Sequence, residues 1–436
     1  MKIQRSLLLP ALLGVQTLLA SAEPREVQDA LSSDPAIAQS AIATLRSKGA
    51  VGLDALVDAH RSEIDAILNS PASTSLRDSH WQRLTAALDA VSRQRDDFAS
   101  QLFWHTDFSA AKAEAKATGK PILSLRLLGK LDEDYSCANS RFFRTVLYAN
   151  AEVSKRLRHS YILHWESVRP APKVTIDFGD GRKLERTITG NSIHYVLDSD
   201  GQVIDAIPGL YSPESFLRAL DNADHIAAIV KSTGPAGYAS SLREAHQAQL
   251  IALQMGQQSE ITVGGVSQAP IATRGGNGNP PSAASANRLT MSKSAVERPM
   301  LSKLGLIRVG GSQDVRQIIG QKPGNPQLAP ASALDQRSIA LMRIKTMSTQ
   351  CSDCAPLEKM IKNFNRSIDE DTRYNESKLH TTLHQWFADG SAPRDLAALN
   401  AKVYAELFLT PNSDPWLGLE AADTYSALDE DGRLRK

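Results

Sequence analysis

The chain has 436 residues, of which 42% are hydrophobic, so it is long and apolar enough to form two or three domains with buried cores. It carries 49 basic and 48 acidic residues, which gives a formal net charge of +1. A near-neutral surface with mixed charges argues against nucleic acid or an anionic membrane as a partner.

The N-terminus has the three parts of a secretory signal peptide. Lys2 and Arg5 precede an apolar stretch at residues 7–19, and small residues ending at Ala22 follow it. We therefore predict a signal peptide at residues 1–22, cleaved after Ala22, and a periplasmic or secreted mature protein. No later run reaches the ~20 apolar residues that a membrane span requires, so we predict no transmembrane segment in the mature chain.

Residues 23–101 alternate polar and apolar positions at helical spacing, with breaks at Gly49, Gly52 and the Ser70-Pro71 turn. The unit at residues 41–68 is typical of a helix, a tight glycine turn and a second helix. A single unit does not make a helical-repeat array, because arrays need about three or more units to bury their faces. We predict a helical cap region that packs on the domain that follows.

Residues 102–226 contain a complete set of alternating elements. A helical pattern ends at Gly119-Lys120-Pro121 and leads into an apolar strand. A loop then leads to Cys137, and Ser140 follows three residues later. The predicted elements have the order αβαβββα and occupy residues 109–118, 122–128, 141–147, 161–165, 193–198 and 203–207, with a closing helix from Pro213.

This order, with Cys137-Ala138-Asn139-Ser140 at a helix N-terminus after a buried strand, resembles the thioredoxin superfamily. It is most similar to exported members, whose lead-in to this strand reads AKATGKPI, as residues 115–122 do here. The resemblance implies a thioredoxin-like domain in which Cys137 is the nucleophile. Two family features differ, because Ser140 replaces the second cysteine and the cis-proline position falls at Ser192.

Three further segments surround or follow this domain. Alternating residues on both sides of Gly179-Asp180-Gly181 predict a β-hairpin inserted at 172–190, which would extend the sheet or overhang the site. A helix is predicted at 227–256. Residues 257–333 are rich in small and polar residues, and we predict a low-complexity, disordered linker.

Residues 334–436 regain helical periodicity and are predicted to form a helical C-terminal domain. The predicted helices cover residues 332–347, 355–364, 377–387 and 392–407.

Cys137 is the main candidate for chemistry. A thiol at a helix N-terminus faces unpaired backbone N–H groups and the positive end of the helix dipole, which favour the nucleophilic thiolate. Arg141 and Arg144 would add positive charge nearby. The alternative is a small apolar residue that seals the joint between sheet and helix.

Ser140 limits the redox chemistry, because a hydroxyl cannot resolve a mixed disulfide and an outside thiol would be needed for turnover. It either supports the thiolate or caps the start of the helix. The resemblance places Asn191, Ser192 and Ile193 across from Cys137, as a substrate groove. We expect a trans bond at Ser192, since a cis bond before a non-proline residue costs roughly 2.5–4 kcal/mol. His194 is expected to pack or face solvent rather than bind a metal.

Cys351 and Cys354 form a second group, separated by two residues. We predict a disulfide or a redox-active dithiol, which would supply the resolving thiol that Ser140 cannot. Two free thiols, or a zinc site shared with His380 and His384, are the alternatives. Haem attachment is excluded because Ala355 stands where the motif needs histidine. We predict no cofactor and no metal-binding residues for this chain.

Together these features predict an α/β protein, with a thioredoxin-like central domain that carries an inserted β-hairpin and is flanked by N-terminal and C-terminal helical regions. The expected function is thiol-disulfide oxidation or disulfide handling by Cys137, with protein or small-molecule thiols and disulfides as partners. The alternative is a non-catalytic thioredoxin-like scaffold that binds another protein of the cell envelope.

Overall fold

A computed structural model describes residues 24–71, 73–264, 286, 289–303, 334–347, 356–417, 419 and 427. The predicted signal peptide, Cys351 and Cys354 lie outside the described residues, as does most of the predicted linker. Within the described ranges, no helix combines the length and the hydropathy needed to cross a bilayer.

Helices fill most of residues 25–92. Asp34 and Asp78 begin two of them, since the Asp34 carboxylate accepts from one backbone N–H group of the first turn and that of Asp78 from two. Gly52 lets two helices cross closely, because a Cβ there would lie 1.9 Å from the carbonyl oxygen of Leu45. The helices are α1 (Arg25–Asp29), α2 (Pro35–Ser47), α3 (Ala50–Ala59), α4 (Arg61–Asn69), α5 (Ser73–Leu76) and α6 (Ser79–Ser92).

The centre of the molecule is a five-stranded mixed sheet with the order β1-β3-β2-β6-β7. The first three strands in this order are parallel, while β6 is antiparallel to both β2 and β7. The prediction of a mixed α/β fold is confirmed at this level. The strands are β1 (Trp104–His105), β2 (Ile122–Leu128), β3 (Ile162–Arg169), β6 (Ile193–Leu197) and β7 (Val203–Pro208).

Helices cover both faces of the sheet. Asp107 caps α7 (Phe108–Thr118), and the chain after β2 enters α8 (Ala138–Phe143), which continues as a π-helical segment, Arg144–Tyr148. Next come α9 (Ala151–Ser160) and the long α10 (Pro213–Gly264). α10 contains the helix predicted at 227–256 and is kinked where Gly234 adopts a positive φ before Pro235.

The inserted hairpin is formed by β4 (Lys173–Asp177) and β5 (Lys183–Thr187). It makes a separate two-stranded sheet, so the expectation that it extends the central sheet is wrong. Ile188, just after β5, packs on Met300 and Leu301. These apolar contacts stabilise the hairpin in a position outside the central sheet.

A helix, α11 (Met291–Lys303), lies within the range predicted as a disordered linker, and that prediction is wrong for these residues. Asp371 accepts hydrogen bonds from the backbone N–H groups of Met291 and Ser292 and so stabilises the start of α11. Leu301 and Lys293 are fully buried. Long-range contacts thus order a segment whose own composition favours a linker.

The helix at 336–347 packs on the N-terminal helices, since Ala340 and Leu341 share an apolar cluster with Leu45. The last helices pack against the sheet. Leu383, Leu399 and Val403 share one apolar cluster with Ile122 and Ile193 of the sheet. The helices after α11 are α12 (Gln336–Met347), α13 (Leu357–Tyr374) with its π-helical continuation Asn375–His380, α14 (Thr381–Asp389), and α15 (Leu396–Lys402) with its π-helical continuation Val403–Leu407.

Candidate functional site

Cys137 lies where β2 leads into α8. Its backbone N–H donates to the carbonyl of Leu128, 3.0 Å away, and it occupies the residue before the first turn of α8. Its side chain is 0% exposed and belongs to the apolar cluster that contains Ile193 and Tyr404. The sulfur is closed off from solvent because helices from the C-terminal part of the chain cover this end of the sheet.

Two serine hydroxyls lie next to the sulfur. Cys137 Sγ is 3.1 Å from Ser192 Oγ and 3.5 Å from Ser140 Oγ. The Ser140 hydroxyl donates to the carbonyl of Cys137 at 2.8 Å, so its proton is already used. Ser140 therefore accepts the S–H hydrogen, which favours its role at the helix start over support of a thiolate.

The predicted groove residues lie beside Cys137, but the chain's own residues fill the space around them. Tyr404 donates its hydroxyl hydrogen to the carbonyl of Asn191 at 2.8 Å. Lys293 Nζ donates to Asn191 Oδ1 at 3.1 Å and to the carbonyl of Gly190 at 3.2 Å. Asn191 and Ser192 are at most 1% exposed.

The backbone around the groove has the geometry expected from the sequence. Ile193 is fully buried and pairs with Arg126 and Pro208 in the sheet. The bond before Ser192 is trans, since no cis peptide occurs among the described residues.

The two arginines expected to add charge near Cys137 have different partners. Burial lowers the pKa of Arg141, while the neighbouring Cys137 raises it in part. Its guanidinium donates to Thr187 Oγ1 at 2.9 Å. Arg144 instead faces Asp96, with a nitrogen–oxygen distance of 3.7 Å.

His194, next to the groove, packs as predicted. It is fully buried, and its Nε2 lies 2.7 Å from the Tyr148 hydroxyl oxygen. Burial lowers the pKa of His194 to about 3, so the ring is neutral at physiological pH.

A second group of polar side chains lies at β7. His380 and His384 stack with ring centroids 4.2 Å apart, as their spacing in the sequence suggests. They meet Asp205 and His246, with His380 Nε2 at 3.2 Å from Asp205 Oδ1 and the two Nδ1 atoms of His246 and His384 at 2.7 Å. Burial lowers the pKa of both His246 and His384.

Asp205 and His246 were not predicted from the sequence as members of this group. One signal was present, since Asp205 is the only charged residue in the apolar strand Val203–Pro208. The alternative zinc site with Cys351 and Cys354 involves residues outside the described ranges. No family model, curated protein or solved structure matches this chain.

Proposed function

We propose that this chain is a non-catalytic thioredoxin-like binding or scaffold protein of the cell envelope, exported by the signal sequence at residues 1–22. One observation carries the proposal: Cys137 is fully buried, and Lys293 and Tyr404 occupy the space beside Asn191, where the resemblance places a substrate groove.

The strand order supports the thioredoxin-like part of the proposal. In the sheet, β2 lies between a parallel and an antiparallel neighbour, and Cys137 follows β2 at the start of a helix. Ser192, at the position of the family's cis-proline, lies opposite the sulfur. This is the relation that the resemblance implies between the cysteine and the third core strand.

The burial of Cys137 supports the non-catalytic part. Thiol-disulfide exchange needs a thiolate that can approach the disulfide along the S–S axis. Here the sulfur is enclosed by Ile193 and Tyr404 in an apolar cluster, and its hydrogen is directed to Ser140. The enclosed sulfur therefore lacks the access to a disulfide that exchange requires.

The test is the rate at which Cys137 reacts with an aromatic disulfide at pH 7, in a Cys351→Ala, Cys354→Ala variant. We expect the folded protein to react at least about 1,000-fold more slowly than the same chain in denaturant. A factor of this size corresponds to an opening free energy of about 4 kcal/mol.

A matched control reports the behaviour of an ordinary exposed thiol. Ser62→Cys, on the exposed face of α4, is introduced into a variant that lacks all three native cysteines. Its rates in folded and denatured protein should differ little. If Cys137 in the folded chain reacts as fast as this thiol or faster, the scaffold proposal is wrong.

The second candidate is a thiol-disulfide oxidoreductase with Cys137 as nucleophile. It is favoured by the Ser192 hydroxyl, which lies 3.1 Å from Sγ and is able to donate a hydrogen bond to a thiolate. This reading requires that α11 and Tyr404 move away to admit a substrate, and it predicts the fast reaction in the experiment above.

A further inference from the structure

Three side chains from distant parts of the chain meet at one buried point. Asp205 lies on β7, His246 on α10 and His384 on α14, and each offers a ligand atom within 4.8 Å of the others. Asp205 and His246 are fully buried, and His384 is 3% exposed. Histidine nitrogen and carboxylate oxygen are the donors that divalent transition metals take in proteins.

The hydrogen bonds fix the proton on His246. Its Nε2 lies 2.9 Å from the carbonyl oxygen of Ile204, and a carbonyl can only accept, so Nε2 carries the hydrogen. In the neutral ring Nδ1 then has a free lone pair, directed at His384 Nδ1, 2.7 Å away. A ring nitrogen whose partner nitrogen donates to a backbone carbonyl is the usual arrangement of a metal-binding histidine.

Asp205 has a free oxygen. Its Oδ1 accepts from the N–H of Ala206 at 2.7 Å and from His380 Nε2 at 3.2 Å. Its Oδ2 is buried and has no hydrogen-bond donor among the described residues. A fully buried carboxylate oxygen without a partner is costly, and a cation supplies the missing partner.

We propose that Asp205, His246 and His384 bind one divalent transition-metal ion, with Zn²⁺ as the best fit to two nitrogens and one carboxylate oxygen. Tetrahedral Zn–N bonds of about 2.0–2.1 Å require the two Nδ1 atoms to be roughly 3.3 Å apart, so they must separate by about 0.6 Å. On binding, the hydrogen of His384 moves from Nδ1 to Nε2 by exchange with water, and the ring stays neutral. His380 orients the carboxylate through Oδ1.

The ion can reach this point from solvent. A cavity of about 460 Å³ opens beside the cluster, and His384 and His380 form part of its wall. Tyr211, Arg218 and Glu376 also line it. The cavity provides an entry path and leaves room for a water as fourth ligand, which three-ligand zinc sites normally hold.

The test is a titration of the chelator-treated mature chain with Zn²⁺, followed by competition with a chromophoric chelator. Cys351→Ala and Cys354→Ala are included so that those thiols do not bind the ion. We expect one equivalent bound with a Kd of about 1 µM or tighter. Asp205→Asn and His246→Gln should each weaken binding by about 100-fold or more.

Two histidine variants serve as controls. His225→Gln changes an exposed histidine on the same helix as His246. His80→Gln removes one member of the group His60, Glu63 and His80, the other described group with metal-ligand spacing. Both should bind Zn²⁺ as the parent does. If His80→Gln loses binding while Asp205→Asn keeps it, the ion lies at the other group and the proposal is wrong.

Absence of binding also overturns the proposal. If the parent chain binds no Zn²⁺ at millimolar concentration, the cluster is a buried histidine pair held by hydrogen bonds alone. If Asp205→Asn or His246→Gln fails to fold, the position of the ion is measured in the parent protein alone. Anomalous diffraction from crystals grown with Zn²⁺ must then place the ion between Asp205, His246 and His384, and an ion elsewhere refutes the assignment.

Discussion

The pH dependence of stability tests the burial of His194 directly. His194 is 0% exposed on β6, and burial lowers its pKa to about 3, against 6.5 for the exposed ring. The folded state therefore binds this proton less tightly than the unfolded state. The contribution of neutral His194 to the free energy of unfolding is fully present above pH 6.5. It is lost as the pH falls towards 3.

The loss in unfolding free energy can be calculated from the shift in the pKa of His194. Between pH 6.5 and about pH 3 the unfolded chain carries one more proton, which costs the folded state about 1.4 kcal/mol per pH unit. At pH 5, about 1.5 units below the unfolded value, the loss is about 2 kcal/mol. Replacement of the ring by His194→Gln removes this contribution and keeps nearly the same side-chain volume and a hydrogen-bond partner for the Tyr148 hydroxyl.

The assay is urea unfolding of parent and His194→Gln at pH 8 and pH 5. The unfolding free energy of the parent minus that of His194→Gln should fall by about 2 kcal/mol between pH 8 and pH 5, because only the parent carries the titrating ring. Other buried groups, among them His164 with a pKa lowered to about 3, are common to both proteins and cancel. Tyr148→Phe is the control, since it removes the hydroxyl but keeps the titrating ring. Equal differences at the two pH values for His194→Gln would refute the burial argument.

Two substitutions test the enclosure of the groove. Gly190→Ala should lower the unfolding free energy by about 2–3 kcal/mol, as measured by urea unfolding. The reason is that φ at Gly190 is +88° and a Cβ there would lie 2.8 Å from Leu128 Cδ2. Tyr404→Phe leaves the buried carbonyl of Asn191 without the 2.8 Å hydroxyl donor, at a cost of about 1–2 kcal/mol, and should speed the reaction of Cys137 in the folded protein about 10-fold.

The controls share the chemistry of each change but lie in open surroundings. Gly119→Ala also places an alanine at positive φ, +71°, in the left-handed helical region at the end of α7, where no atom lies within 4 Å. It should cost about 1 kcal/mol, and an equal cost at Gly190 would show that Leu128 does not limit the space. Tyr135→Phe removes an exposed hydroxyl and should leave the Cys137 rate unchanged. An unchanged rate in Tyr404→Phe would mean that access to the sulfur is limited elsewhere.

The elements that the sequence predicts well are those whose pattern is local. The apolar run at residues 122–128 is β2, and the run at 193–198 is β6 apart from its last residue, since strands covered on both faces need apolar residues at every position. The helix predicted at residues 109–118 is α7 from its second residue on, and it ends where Gly119 adopts a positive φ.

The predictions that fail depend on residues far apart in the chain. Nothing near Cys137 indicates that Tyr404 and Lys293 close the space beside it. Asp371 likewise stabilises the start of α11 from a distant helix, so the low-complexity composition alone gives the wrong answer for residues 291–303. Periodicity reports which face of an element is buried, but not which distant segment covers it.

The C-terminal helices connect the two sites, because the same apolar cluster holds them both. Leu383, one residue before His384, packs in the cluster that contains Tyr404 and Cys137. Any opening that exposes the sulfur must displace part of this cluster, and an ion bound by His384 anchors α14 to β7. A ligand that binds only the closed arrangement stabilises it by mass action. The proposed metal site and the burial of Cys137 therefore support the same proposed scaffold role, in which the C-terminal helices hold the sheet in one arrangement.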